Sequence, residues 1–299
     1  MASPLPIWRL SDGRRGHDNQ SLGLIEALQR LVAVHCTQVA VSGAIAGALD
    51  VLAARSRRPS LVIGAGHATH LALIAAAHRH RARSVVLMNP SLPRRLFDLC
   101  IVPRHDAVRG GGNVLLSLGA LNRMQAATAP RDAREALLLL GGPSRHHAWD
   151  DAAMLEQIRA LAAAAPDLRW VAAGSPRTPV SMLAALARLP AWTVVRFEDT
   201  SPQWLPERLA RAGVVWVSED SVSMAYEAVS SGAPTGLLAV PARGGDSRVQ
   251  AATRALLGAG LAIGMAEWRA GARPHTPQRP LQEADRCARA LLERWPELA

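Results

Sequence analysis

The stretch Pro6-Ile7-Trp8-Arg9-Leu10-Ser11-Asp12-Gly13-Arg14-Arg15-Gly16-His17-Asp18-Asn19-Gln20 joins a short apolar run to a glycine-punctuated polar turn. An apolar, helix-periodic segment follows it. We read residues 6–11 as a strand and 19–31 as a helix, and the next apolar run, 35–41, as a second strand. Strand, turn and helix in that order make one unit of a parallel sheet. The alternation continues outward with helix 45–54, strand 61–64, helix 69–80 and apolar runs at 85–88, 99–102 and 114–118. Residues 122–132 are polar and read as a linker. The pattern then restarts with strand 137–140, helix 151–164, strand 169–173 and helix 180–189. Strands 193–197, 214–217 and 235–238 follow, with helices 204–212, 220–230 and 248–257. A Pro-rich loop at 271–280 precedes a last helix, 281–294.

The expected fold is therefore α/β, with two Rossmann-like domains in tandem and a cleft between them. We assign 1–125 to the first domain and 133–275 to the second. A C-terminal helix, 281–296, is expected to pack back on the first. A chain of 299 residues accommodates two such domains.

Composition narrows the function. The hydrophobic fraction of 49% is that of a globular protein. Aromatics make up 4%, too few for a base-stacking surface. All 34 basic residues are Arg, and the net charge is +10. They are scattered, as at Arg14, Arg57, Arg134, Arg188, Arg254 and Arg294, so no nucleic-acid partner is expected. The excess favours small anionic ligands such as nucleotides and allows peripheral contact with an anionic inner-leaflet surface. Cys36, Cys100 and Cys287 form neither a disulfide framework nor a zinc pattern. No signal peptide or membrane span is read, so a cytoplasmic location is expected.

Ligands of open α/β sheets bind beyond the strand C-termini, and polar motifs gather there. In the first domain Asp12, Gly13, Gly16, His17, Asp18, Asn19 and Gln20 crowd into ten positions, with His17 and Asp18 read as a proton-transfer pair. Gly64-Ala65-Gly66-His67, Asn89-Pro90-Ser91 and Pro103-Arg104-His105-Asp106 end later strands. In the second domain Gly141-Gly142-Pro143-Ser144 is a loop able to offer backbone N–H groups to phosphate. Ser175-Pro176-Arg177-Thr178-Pro179 places a guanidinium for a diphosphate. Ser218-Glu219-Asp220-Ser221-Val222-Ser223-Met224-Ala225-Tyr226-Glu227 closes a strand and opens a helix. Its start would face phosphates and Glu227 would accept ribose hydroxyls; capping by Ser218 or Asp220 is the simpler alternative.

These motifs, in order from residue 12 to about 240, resemble the bacterial members of the mitochondrial-fission ELM family. That family is similar to the GT-B superfamily of nucleotide-sugar-dependent glycosyltransferases and is also grouped with nucleoside-diphosphate-sugar epimerases. The resemblance implies a donor site in the second domain, at Gly141, Gly142, Ser144, Ser175, Arg177, Asp220, Ser221, Ser223 and Glu227. It implies an acceptor side in the first, at Asp12, Gly16, His17 and Asn19; the residues themselves add Gly13, Gln20, Gly66 and His67 to that side, with His17, Asp18 and Asp12 as the candidate catalytic groups. Pro176 stands where the family usually has Arg, and Glu219 where it has a small residue. The expected function is glycosyl transfer from a nucleotide sugar to an unidentified acceptor, with no metal and no resident cofactor. Epimerisation, drawing on His17, His67 and Glu219, and a non-catalytic partner-binding role are the alternatives.

Overall fold

The computed structural model describes residues 3–53, 58–190, 192–244 and 247–299. Ala54, the expected end of the second helix, and Arg57 lie outside the described residues. The chain forms two compact units: residues 3–123 with 282–299, and residues 124–281.

The first unit holds six parallel strands: β1 (Leu5–Ser11), β2 (Val34–Ala40), β3 (Leu61–Ala65), β4 (Arg83–Leu87), β5 (Leu99–Pro103) and β6 (Val114–Ser117). Their order is β2-β1-β3-β4-β5-β6. Helices α1 (Arg15–Gln29), α2 (Ala44–Ala53) and α3 (His70–His80) make the crossovers. The second unit has β7 (Asp132–Leu139), β8 (Arg169–Ala173), β9 (Trp192–Val195), β10 (Ala212–Ser218), β11 (Thr235–Leu238) and β12 (Ile263–Gly264), in the order β12-β11-β10-β7-β8-β9. Its helices are α4 (Asp151–Ala164), α5 (Val180–Leu186), α6 (Trp204–Arg211), α7 (Val222–Ser230), α8 (Arg248–Gly258) and α9 (Met265–Arg269). The last helix, α10 (Glu283–Arg294), belongs to the first unit.

Both sheets are covered on both faces, so their central strands are apolar on both sides. In β1, Leu5 and Ile7 pack with Leu24 and Leu28 of α1, while Trp8 and Leu10 pack with Val51 of α2 and Leu73 of α3. Helix α10 joins the α1 face through Ala284, Cys287, Ala288 and Leu291, and Arg30 pairs with Asp285 across the two helices. In the second unit, α6, α7 and α8 cover one face, with Leu209, Tyr226, Val229 and Leu256 buried. Met154, Ile158, Met182 and Met265 of α4, α5 and α9 cover the other.

Of the element boundaries that differ from the sequence reading, two matter to the site. Helix α1 begins at Arg15, four residues earlier than expected. Gly16, His17 and Asp18 are therefore helical rather than part of the preceding loop. Helix α7 begins at Val222, two residues later than expected. Among the described residues no helix is long and apolar enough to cross a membrane.

Candidate active site

Each sheet has one point where successive connections leave in opposite directions. In the first unit it lies between β1 and β3, in the second between β7 and β10. The sequence-predicted residues gather at these two places, where an open α/β sheet leaves a crevice.

In the first unit, Asp12 follows β1 directly and its Oδ2 lies 2.9 Å from Nδ1 of His17. The Asp12 side chain is 6% exposed and that of His17 20%, so the pair is shielded yet reachable. Gly66, just after β3, closes the pair from behind. Its φ of +87° suits glycine, and a Cβ there would run into the His17 ring and lie 3.1 Å from Asp12 Oδ2. Gly13, at φ +74°, turns the chain so that Arg14 N–H donates to Asp12 Oδ1.

Asp18 is not the partner of His17. Its Oδ1 accepts from Arg9 Nη1 and from Ser11 Oγ, both at 2.6 Å. Nor does it cap α1, which starts after Arg14 without a side-chain cap. Arg9, a charged residue in a central strand and 3% exposed, explains the difference. Its guanidinium also donates to Ser21 and Gln38, and a buried cation needs a carboxylate. Asp12, not Asp18, is the carboxylate within hydrogen-bond reach of His17. Gln20 is buried, with Nε2 donating to Gly16 O and Met88 Sδ, which makes it a packing residue; Asn19 is half-buried and Gly16 exposed.

His67 forms a second cluster with Ser91 and His70. Its Nδ1 is 2.6 Å from Ser91 Oγ, which lies 3.2 Å from His70 Nδ1. His70 is 4% exposed, and burial, reinforced by His67 and His17, pushes its pKa down to about 4. Between that value and the ordinary 6.5, the unfolded chain binds a proton that the folded chain rejects. Stability should therefore be full above pH 6.5 and fall by at most ~3 kcal/mol as the pH drops toward 4. His70→Asn should flatten that slope in urea titrations between pH 7 and pH 4; an unchanged slope would assign it elsewhere.

In the second unit, Asp220 is the anchor. Its side chain is fully buried; Oδ2 accepts from Gly142 N–H at 2.9 Å and pairs with Arg177 Nη2 at 2.9 Å. Oδ1 accepts from Ser218 Oγ, and Ser218 Oγ in turn accepts from Gly141 N–H at 2.7 Å. Arg177 also donates to Gly142 O, and Ser175 Oγ to Gly141 O. The turn after β7 is thus tied to the turn after β10. This corrects two expectations: the amides of Gly141 and Gly142 are already occupied, and neither Ser218 nor Asp220 caps α7. Ser144 Oγ accepts from the amides of His146 and His147, closing its own turn.

Ser221 precedes α7 and offers no side-chain cap, although the first amides of a helix lack intrahelical partners. Ser223 is exposed and Glu227, one turn on, half-buried, while Ala225, Tyr226 and Val229 face the core. Two residues join this site unannounced by the sequence. Thr178 Oγ1 donates to Leu140 O and accepts from Ser175 N–H. His147 is 2% exposed, and its Nδ1 has no partner among the described residues. Burial lowers its pKa against the opposing pull of Asp220. His147 follows His146 just past the Gly141–Ser144 loop, and nothing in that local pattern marks which of the two turns inward. Burial raises the pKa of Glu219. Among the described residues no three His, Cys, Asp or Glu side chains converge as a metal site requires.

The sequence profile of the mitochondrial fission ELM1 family matches residues 15–295. The chain belongs to that family. A search of curated protein sequences finds no match. Its fold is similar to that of UDP-GlcNAc 2-epimerase from Methanocaldococcus jannaschii, at 11% identity and TM-score 0.60, covering 97% of this chain and 100% of that one. It is also similar to UDP-GlcNAc 2-epimerase from Neisseria meningitidis bound to UDP-GlcNAc (12% identity, TM-score 0.50, 99% and 93% covered). A UDP-glucosyltransferase from Polygonum tinctorium is a third (13%, 0.51, 98% and 90%). At these identities the likeness establishes the fold, that of GT-B glycosyltransferases and epimerases.

Proposed function

We propose that this ELM1-family chain is a nucleotide-sugar-dependent enzyme, with glycosyl transfer as its reaction. What carries the reading is the second unit's switch point: an uncapped helix N-terminus beside Arg177, whose guanidinium is 40% exposed although paired with buried Asp220. Helix amides and a planar guanidinium together suit a diphosphate. Glu227 on α7 is the candidate for the ribose hydroxyls. The UDP-sugar names of two structural relatives support the same ligand class.

In the first unit, Asp12 accepts the Nδ1 proton of His17, which leaves Nε2 as the basic nitrogen for an acceptor hydroxyl. The acceptor oxygen would bond to the anomeric carbon as the bond to the diphosphate breaks. In the first unit His17 is the group suited to take the acceptor's proton; in the second, Arg177 and the α7 amides are the groups suited to hold the diphosphate. The nucleotide sugar is substrate; the reaction as drawn uses no metal or resident cofactor. The arginine excess supports contact with anionic membrane surfaces, readable as salt-sensitive vesicle binding.

A partner-binding reading has one observation in its favour. Helix α2 exposes Ile45 (73%) and Leu49 (62%) one turn apart, with Leu52 beyond them. Release of free nucleotide from a nucleotide sugar by the purified chain would exclude a purely partner-binding role, and an isomerised sugar would identify an epimerase.

The test is a thermal-shift panel of nucleoside diphosphates and nucleotide sugars on wild type and Glu227→Ala. At a hundred times Kd the native state gains about 2.7 kcal/mol. A shift with one base, reduced in the variant, is the expected result. No shift with any nucleotide in a folded sample would sink the reading.

A further inference from the structure

The turn Asn89-Pro90-Ser91 follows β4 and is set by a strained residue. Met88 has a φ of +71°, a left-handed conformation that costs a non-glycine residue on the order of 1 kcal/mol. Its amide donates to Ile101 O at 2.9 Å, and its sulfur accepts from Gln20, so the strain is held from two sides. The turn carries Ser91 outward, exposed, with Oγ 2.6 Å from Nδ1 of exposed His67 and 3.2 Å from Nδ1 of buried His70.

Packing accounts for only half of this. Buried His70 needs a partner for Nδ1, and Ser91 supplies it. The bond to His67 joins two exposed side chains that water would satisfy equally well. The hydroxyl has one proton to give. With neutral His70 donating from Nδ1, that proton points to His67 Nδ1. Ser91 Oγ–H donating to His67 Nδ1 is the nucleophile–base contact of an activated serine, while His70 Nδ1–H holds the same oxygen in place from its buried side.

We propose that Ser91 is an acyl-accepting nucleophile, with His67 as its base and His70 as a positioning residue. This gives the first unit a carboxylic ester hydrolase activity that does not depend on the nucleotide-sugar reading. Ser91 Oγ bonds to the ester carbonyl carbon and its proton passes to His67 Nδ1. The alcohol leaves as the C–O bond breaks, taking that proton. Water then adds to the acyl-serine and gives its proton to His67, which returns it to Oγ as the acid departs. Exposed Arg94 and Arg95, three and four residues on, favour esters that also carry negative charge.

A fluorophosphonate probe on the full chain, read by peptide mass mapping, tests this alongside hydrolysis of p-nitrophenyl acetate. Ser91 should be labelled in wild type, and Ser91→Ala should lose both the label and the hydrolysis while keeping its circular dichroism. His67→Asn can keep a hydrogen bond to Ser91 but cannot act as base, and should slow labelling about 10²–10⁴-fold. Labelling of Ser91 no faster than of other exposed serines, in folded wild type, would overturn the proposal. Equal labelling rates in wild type and His67→Asn would overturn it too, because a merely structural contact survives that change.

Discussion

Asp220→Ala should lower the unfolding free energy of the second unit by about 3–5 kcal/mol. The carboxylate is fully buried and holds Arg177 Nη2, Gly142 N–H and Ser218 Oγ. Removing it leaves one buried amide and one buried hydroxyl without an acceptor, and a part-exposed guanidinium without its counter-charge. Groups left unsatisfied in this way carry the full desolvation penalty rather than the small net value of a hydrogen bond. The turn after β7 would also lose its tie to the turn after β10, at Gly142, where φ is +154° and a Cβ would run into the Arg177 backbone. Asp220→Asn keeps the shape and the Gly142 contact but removes the charge, and should lie between wild type and Ala. Urea unfolding followed by tryptophan fluorescence checks this, since Trp170 and Trp216 sit in the core of that unit. A loss below 1 kcal/mol for Asp220→Ala would mean that the carboxylate is not the anchor described.

His17→Ala should leave stability within about 0.5 kcal/mol of wild type, since the ring is partly exposed and is held by a single hydrogen bond to Asp12 among the described residues. Nucleotide-sugar turnover should fall 10²–10⁴-fold, the usual value of a positioned base. Asp12→Asn should reduce turnover as well, because an amide that offers its NH₂ group to Nδ1 favours the wrong imidazole tautomer. Gly66→Ala reaches the same end by geometry: its methyl would displace the His17 ring. Product formation by the three variants, each checked for fold by circular dichroism, decides the matter. Undiminished turnover in His17→Ala would remove His17 from the chemistry, whereas loss in that variant with retention in Asp12→Asn would keep the base and discard its orienter.

Much of this was legible in the residues. Parallel strands buried on two faces require apolar runs such as Leu61–Ile63, Val85–Leu87 and Leu137–Leu139, interrupted by amphipathic helices. Glycines that only a turn or a close approach explains marked the strand ends, and Gly66 and Gly142 do lie there at positive φ. The association of Asp220 with Arg177 was not legible, because no local rule links residues 43 positions apart.

Sequence alone determined the architecture: apolar periodicity sets which segments become strands and which become helices, and that periodicity is local. Tertiary structure alone decided who pairs with whom. Arg9, forced into a central strand, captures Asp18 and so leaves Asp12 to His17. Asp220 turns inward to tie down Gly142 and Arg177 instead of capping its helix. In each case the cost of burying a charge or an amide without a partner outweighs the smaller preference for a local cap, and that cost exists only once the chain has folded.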